Sequence, residues 1–210
     1  MSVRSKPVGI AALTLGLLWL MTGSAMAASE FHTEYSDYFT VTSTPVSSFE
    51  INAGEDTLVN CSAPTTTAPM QEKRVTALDF SGGVYSNCQN QLFVKSLNVN
   101  LSNCGFRLRS NGVADVWNKV CGGLYSIWYF GKKCEIRLRT QTGLQWASYT
   151  NVGTGTGRKI KATYNLEKVN YYVENGNCIE SPGPHDNGSF RGTVELSAST
   201  PYGPVGIWIE

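Results

Sequence analysis

The stretch Lys159-Ile-Lys-Ala-Thr-Tyr-Asn-Leu166 alternates polar and apolar side chains with a period of two. In an extended chain Ile160, Ala162, Tyr164 and Leu166 all point to one side, and the polar residues point to the other. An amphipathic helix would instead repeat its apolar residues every three or four positions. This stretch therefore predicts a half-buried β-strand, with one side of its sheet packed on a core and the other in water.

The same alternation recurs in residues 93–102, 104–109, 134–139 and 205–209, whereas no amphipathic helix is recognisable after residue 28. Turn sequences rich in Gly, Asn and Pro separate these stretches, at residues 52–54, 81–83, 110–112, 153–157, 175–177 and 182–184. Short strands between closely spaced turns favour an all-β, antiparallel β-sandwich, for which a jelly roll is one possible arrangement. We expect loops at residues 42–45 and 63–69.

The amino terminus has the three parts of a secretory signal peptide. Arg4 and Lys6 precede an apolar run, and the run ends in Ala25-Met-Ala27, which fits the small-residue pattern of signal peptidase. The apolar part is about 14 residues long, short of the roughly 20 that span a bilayer. We predict cleavage after residue 27, a single domain over 28–210 without a transmembrane span, and a secreted, extracellular or cell-envelope location.

Six cysteines follow the predicted signal peptide: Cys61, Cys88, Cys104, Cys121, Cys134 and Cys178. An even number of cysteines in an exported chain predicts three disulfides. Six cysteines allow 15 pairings, and the sequence does not choose among them. No two of them stand in the C-x2-C spacing of a zinc site, so we expect neither a metal nor a cofactor.

Composition and charge exclude some classes of function. Charged residues make up 16% of the chain, and 17 basic residues nearly balance 16 acidic ones. This low charged fraction argues against disorder, and the absence of a basic excess argues against nucleic-acid binding. Cleavage after residue 27 would remove two basic residues and leave 183 residues with a formal charge of −1.

The polar sides of the predicted strands carry basic residues. If these strands are neighbours, the side chains form one positive patch for an anionic envelope polymer, since guanidinium groups bind phosphate in two-pronged fashion. If acidic residues lie beside them, the same row is an ordinary solvated surface. The residues are Arg107, Arg109, Arg137, Arg139, Lys159 and Lys161.

Aromatic side chains offer a second binding surface. Residues 124–130 are apolar on both sides of a strand, which predicts a buried central strand; an exposed aromatic ledge for a sugar or a protein is the alternative. Trp128 in this stretch and Trp146 beyond it are the candidate contacts, because flat aromatic rings pack against sugar rings.

A secreted hydrolase, for example one acting on glycans, is the enzymatic alternative. His185 is followed by Asp186 in an expected loop, and a nearby hydroxyl would complete a catalytic arrangement. His32 lies close to the predicted cleavage point, where chains usually fray. Glycoside hydrolysis would need two converging carboxylates, and the candidates are Asp79, Asp115, Glu135, Glu180, Asp186 and Glu195. No spacing favours any pair, and no G-x-S-x-G nucleophile elbow is present.

Four segments in the second half of the chain form a recognisable set: Cys134-Glu-Ile-Arg-Leu-Arg-Thr-Gln141, Tyr171-Tyr-Val-Glu-Asn-Gly-Asn-Cys178, Ser189-Phe-Arg-Gly192 and Val205-Gly-Ile-Trp-Ile209. In these segments the chain resembles a group of secreted all-β proteins of actinobacteria that have no assigned activity. The likeness covers roughly residues 100–210. It implies an exported all-β fold and assigns no ligand and no catalytic residue.

Three hypotheses of function follow. The first is a non-enzymatic envelope or extracellular module that contacts a glycan or anionic polymer, or another surface protein, through an exposed aromatic or arginine-rich patch. The second is a secreted hydrolase with a cleft where catalytic groups converge. The third is a structural envelope protein with neither feature. We expect the first.

Overall fold

A computed structural model describes residues 29–34, 39–52, 58–90, 97–117, 121, 123–129, 132–145, 148–174, 177–178 and 180–210. For residues 90, 97, 123–129, 132 and 133 it describes the backbone only. The predicted signal peptide and residues 93–96 of one predicted strand lie outside the described residues.

In this part of the chain there are nineteen strands, one 3-10 turn at Gly155–Gly157 and no α-helix. The strands are β1 (Phe31–Thr33), β2 (Phe39–Pro45), β3 (Phe49–Asn52), β4 (Val59–Ser62), β5 (Thr66–Met70), β6 (Arg74–Val75), β7 (Ala77–Ser81), β8 (Val84–Asn90), β9 (Leu97–Asn100), β10 (Gly105–Arg109), β11 (Val113–Trp117), β12 (Gly123–Tyr129), β13 (Lys132–Leu138), β14 (Gln141–Gln145), β15 (Ser148–Val152), β16 (Lys159–Val173), β17 (Gly183–Thr200), β18 (Gly203–Val205) and β19 (Ile207–Ile209).

The strands form three antiparallel sheets, and two of them make a sandwich. A four-stranded sheet has the order β14-β11-β10-β7, and a three-stranded sheet has the order β19-β1-β6. The four-stranded sheet packs on the part of the large sheet that contains β2, β5, β16 and β17. The predicted all-β sandwich is confirmed.

The large sheet has twelve strands and is organised by β16 and β17. Its order is β15-β16-β13-β12-β9-β8-β4-β3-β17-β2-β5, with β18 paired to β17. Because β16 also pairs directly with β17, eight of these strands form a closed circuit of neighbours. At one end of β16 and β17 lies the sandwich, and at the other end lies this circuit.

Each of these two parts has its own apolar core. The sandwich core contains Phe31, Phe39, Leu78, Ile160 and Leu196, each at most 1% exposed. Among the side chains that the structure describes, the core inside the circuit is the smaller one and contains Val59, Cys61, Val99, Leu101, Cys104, Cys134, Ile136, Tyr171 and Val173. Every second residue reaches a core in the first five residues of β2 and in the first half of β16, as a period-two pattern requires.

Three disulfides join the six cysteines: Cys61–Cys88, Cys104–Cys121 and Cys134–Cys178. The predicted number is confirmed, and each bridge joins two cysteines that are consecutive along the chain, with the longest sequence separation, 44 residues, in the last pair. One cysteine of each pair is buried in the smaller core, and its partner packs against the same core. All three crosslinks therefore reinforce the core inside the circuit.

Two of the predicted loops are strands, and these predictions were wrong. Residues 42–45 belong to β2, and most of residues 63–69 belong to β5. Alternating burial of β2 puts Phe39, Val41 and Ser43 inside, a pattern that the β-branched threonines between them support. Pro69 is accommodated because β5 lies at the edge of its sheet, where a missing N–H breaks no pairing.

Both histidine placements also need correction. His32 is not frayed: it is 6% exposed in β1, between β6 and β19. His185 is not in a loop: it lies near the start of β17, opposite Tyr171 of β16. Both residues were misplaced because their strands are held by partners that are remote in sequence.

Several local predictions are confirmed. Ile160, Ala162, Tyr164 and Leu166 are all buried, and β16 includes the whole stretch. Residues 110–112 connect β10 to β11, and residues 153–157 connect β15 to β16. Gly112 has a φ of 82°, in the left-handed region that glycine adopts most easily.

In the described residues no helix has the length and apolar character needed to cross a membrane.

Candidate functional site

The candidate site is the outer side of the four-stranded sheet, centred on β10. Leu108 of this strand is buried against the sandwich core, whereas Arg107 and Arg109 project outward. In the antiparallel register Arg107 lies between Asp79 of β7 and Asp115 of β11. The register between these strands therefore places carboxylates beside the arginines.

Arg107 forms a two-pronged ion pair with Asp79. Its Nε lies 2.7 Å from Oδ1, and its Nη2 lies 2.8 Å from Oδ2. The hydrogen bond to Asp79 and the charge of its carboxylate raise the pKa of Arg107. Both side chains remain about two-fifths exposed (43% and 41%), so the pair fixes an orientation at the surface more than it stabilises the fold.

Arg109 is held by Asp115, whose side chain is only 6% exposed. Asp115 Oδ2 accepts hydrogen bonds from Nη2 at 2.6 Å and from Nε at 3.1 Å. Its other oxygen accepts the backbone N–H of Gly143 at 2.9 Å. All of these contacts lie within the sheet, and they join β11 to β14. Asp115 is therefore a structural group.

An exposed tryptophan stands at the end of the same surface. Trp117 is the last residue of β11, lies opposite Gly105 and is 46% exposed. Its ring occupies the space of a side chain at position 105, since a Cβ there would lie 2.6 Å from a ring atom. The ring is thus laid against the sheet, and Arg107 Cζ lies 5.9 Å from its centroid.

We call the surface made by Gly105, Arg107, Asp79 and Trp117 the Trp117 face. It combines one aromatic plane with a guanidinium and a carboxylate whose orientations are fixed. Such a combination suits a ligand that has both apolar and hydroxyl surfaces, because the ring packs against C–H groups and the polar pair exchanges hydrogen bonds.

The other two predicted arginines lie elsewhere. Arg137 is on β13 and Arg139 follows it, and β13 belongs to the large sheet. Because β10 and β13 are in different sheets, the four arginines do not form the single row that neighbouring strands would have made. The sequence-predicted residues thus form two separate groups.

Most of the basic residues are matched by acids. Arg137 Nε lies 3.0 Å from Glu174 Oε1, and Lys159 Nζ lies 2.6 Å from Glu195 Oε1. Arg139 differs, since its guanidinium lies over the ring of Tyr172, with Cζ 5.2 Å from the centroid. An extended positive patch is therefore not formed by the described residues.

The predicted aromatic contacts remain untested. Trp146 and the side chain of Trp128 lie outside the described residues, although the backbone of β12 runs between β9 and β13 as a central strand would. A further tryptophan, Trp208, stacks on His32 with centroids 5.6 Å apart and has the Arg158 guanidinium 4.7 Å from its centroid. Its ring is therefore already packed between two partners.

His185 is engaged in structural contacts. Its Nε2–H donates to the Ser181 carbonyl at 2.8 Å, and its Nδ1 lies 3.8 Å from Glu180. Its ring stacks on Tyr171 with centroids 5.1 Å apart. Burial, together with the charges of nearby Glu180 and Asp186, raises the pKa of Tyr171 to about 12. Among the described residues no serine or threonine hydroxyl hydrogen-bonds to His185.

The carboxylates predicted for hydrolysis are also mostly occupied. Asp79, Asp115 and Glu195 each bind a basic side chain, and Glu180 faces His185. Within the described ranges no three His, Cys, Asp or Glu side chains are arranged to hold a metal ion.

Trp117 was missed in the sequence, although a signal for it existed. The strand after the turn at 110–112 reads Val113-Ala-Asp-Val-Trp117, in which Val113, Asp115 and Trp117 share one side. Pairing this strand with 105–109 across the three-residue turn places Trp117 opposite Gly105.

Comparison with protein-family models, curated proteins and solved structures finds no match for this chain.

Proposed function

We propose that this chain is an exported, non-enzymatic binding module, and that the Trp117 face holds a glycan of the extracellular surface. The observation that carries the proposal is an exposed tryptophan ring that packs against a glycine and is flanked by an arginine–aspartate ion pair. A ring fixed in this way loses little conformational freedom when a ligand packs against it.

The charge of this surface favours a neutral sugar over an anionic polymer. Arg107 and Arg109 are each paired with an aspartate, so no net positive charge remains on these four side chains. The paired groups still have free N–H donors and oxygen lone pairs, which sugar hydroxyls can use. Planar polar side chains beside an aromatic ring thus support the recognition of a pyranose.

The three disulfides support a site of action outside the cytosol. Such crosslinks persist in oxidising compartments and are rare where thiols are kept reduced. They agree with the predicted signal peptide over residues 1–27, which is part of this proposal.

The experiment is a co-sedimentation assay of the disulfide-bonded protein with cellulose, chitin and isolated bacterial cell walls. We expect retention on at least one of these, and a dissociation constant about tenfold higher for Trp117→Ala, equivalent to about 1.4 kcal/mol. Tyr202→Ala is the matched control, because Tyr202 is 99% exposed at a hairpin far in sequence from the site.

Two results would count against the proposal. If the wild-type protein sediments with none of the three materials, the proposed glycan-binding function is wrong. If Trp117→Ala and Tyr202→Ala weaken sedimentation equally, the proposed binding site is wrong, since any exposed aromatic residue would then contribute as much.

A further inference from the structure

A second polar groove lies on the large sheet, about the ends of β13 and β16 and the start of β17. It is open to solvent on one side and has a volume of about 410 Å³, within the range of roughly 300–1,000 Å³ for small-molecule sites. Its lining residues are Arg139, Thr140, Asn170, Pro184, His185 and Asp186. The Trp117 face is on a different sheet, so the two surfaces are separate.

Arg139 is the one of the four predicted arginines whose guanidinium has no carboxylate partner among the described residues. Arg107, Arg109 and Arg137 all bind an aspartate or glutamate. The Arg139 guanidinium instead lies over the Tyr172 ring. Its N–H groups are therefore available to an external anion, and the aromatic ring limits the directions it can take.

The wall that carries Arg139 is braced by Gln141. The side chain of Gln141 donates to the backbone carbonyls of Arg139 at 3.1 Å and Asn170 at 3.2 Å, and it accepts the Asn170 N–H at 2.8 Å. The Arg139 N–H also donates to the Asn170 carbonyl at 3.1 Å. These bonds connect two sides of the groove, so its shape is largely set before a ligand binds.

The opposite wall is fixed by His185 and contributes an acceptor. His185 is held by its bond to Ser181 and by its stack on Tyr171. The Asp186 carboxylate next to it forms no ion pair in the part of the chain that the structure describes. The groove thus presents one cation, one carboxylate and the polar side chains of Thr140 and Asn170.

We propose that this groove binds the carboxylate-bearing unit of an acidic saccharide, with Arg139 holding the carboxylate. A single negative charge suits one free guanidinium, and the sugar hydroxyls suit Asp186, Asn170 and Thr140. The Asp186 carboxylate opposes ligands of higher charge, such as phosphate dianions, by like-charge repulsion. The inference rests on the proposed function in that the ligand is a glycan, but it uses a different surface.

The test is a calorimetric titration of the disulfide-bonded protein with tetragalacturonate at about 0.15 M salt, where long-range attraction is screened. The same oligomer with methyl-esterified carboxylates and inorganic phosphate are the comparison ligands. We expect the acidic oligomer to bind at least about tenfold more tightly than either. Arg139→Met should weaken it by a similar factor.

Arg137→Met is the matched variant, because it removes one positive charge from the same sheet without touching the groove lining. Equal losses in Arg137→Met and Arg139→Met would overturn the inference in favour of general charge attraction. Equal binding of the methyl ester or of phosphate, or no binding of the acidic oligomer, would also overturn it.

The two proposals fail separately. If Trp117→Ala weakens sedimentation but Arg139→Met leaves the affinity for the acidic oligomer unchanged, the groove is not an acidic-saccharide site, and glycan binding by the Trp117 face is supported. If Arg139→Met lowers the affinity for that oligomer while Trp117→Ala has no effect on sedimentation, the groove proposal is supported and the Trp117 face is not the glycan site.

Discussion

Gly105 decides how Trp117 is presented. In an antiparallel pair, opposite side chains stand close together, and a residue without a Cβ lets an aromatic partner lie across its backbone. Glycine usually weakens a strand, so its presence at the start of β10, an interior strand of this sheet, marks a close approach of another group. Here that group is the tryptophan ring.

Gly105→Ala should therefore displace the ring and weaken glycan retention about as much as Trp117→Ala does. The free energy of unfolding should change by no more than about 1 kcal/mol, because the ring is at the surface and can move outward. Near-ultraviolet circular dichroism reports the ring, and co-sedimentation reports binding. Gly157→Ala is the control, since a Cβ at that position meets no atom within 4 Å.

Unchanged retention in Gly105→Ala would show that the position of the ring does not matter for binding.

The outward direction of Arg107 and Arg109 was predictable from strand alternation. Their aspartate partners were not, because Asp79 comes from another strand 28 residues earlier and the register between β7 and β10 is a tertiary property. A charge pattern on one strand gives no information about the charges on its neighbours.

In β16 the period-two pattern predicts the buried side correctly for only part of the strand. Its buried residues are even-numbered up to Leu166 and odd-numbered from Val169 to Val173. The change of side occurs at Lys168, where the pairing with β17 shifts and the backbone has a φ of 57°. One extra residue in a strand exchanges its inner and outer sides, which is how a bulge redirects a strand. The regular pattern therefore predicted the first half of β16 and not the second.

Lys168→Gly should raise the free energy of unfolding by about 0.5 kcal/mol. The left-handed region costs a residue with a side chain about 1–2 kcal/mol, and the greater freedom of glycine in the unfolded chain offsets about 0.5–1 kcal/mol of that relief. Urea unfolding followed by circular dichroism measures the difference.

Lys161→Gly is the comparison, because Lys161 is exposed on the same strand without a positive φ. It should lower the free energy of unfolding by about 1 kcal/mol. If both glycine variants lower it equally, the bend at Lys168 is not a position of backbone strain.

The molecule as a whole combines a larger sandwich core with a smaller, crosslinked one. Of the side chains that the structure describes, the smaller core contains nine, and three of these are cysteines. A small core stabilises little by itself, whereas a disulfide contributes roughly 2–4 kcal/mol, mainly by restricting the unfolded chain. The Cys134–Cys178 bridge encloses the longest segment and should contribute most in that picture.

The number of disulfides was readable from the sequence, and the pairing was not. Cys61 and Cys88 meet because β4 and β8 are neighbours in the large sheet, although 27 residues separate them. That adjacency depends on the closed circuit of strands, which no local pattern specifies. The fold class followed from alternation and turns, whereas the pairing and the Trp117 face depended on which strands meet.

The most direct test is the state of the six cysteines in the native protein. The 210-residue chain would be expressed in cells, and the protein would be collected from the culture medium. It would then be alkylated without prior reduction, digested, and mapped by mass spectrometry. An exported sandwich crosslinked around its smaller core predicts the linked pairs Cys61–Cys88, Cys104–Cys121 and Cys134–Cys178, with no alkylated cysteine. Alkylated cysteines in the native protein, or peptides linked in any other pairing, would contradict it.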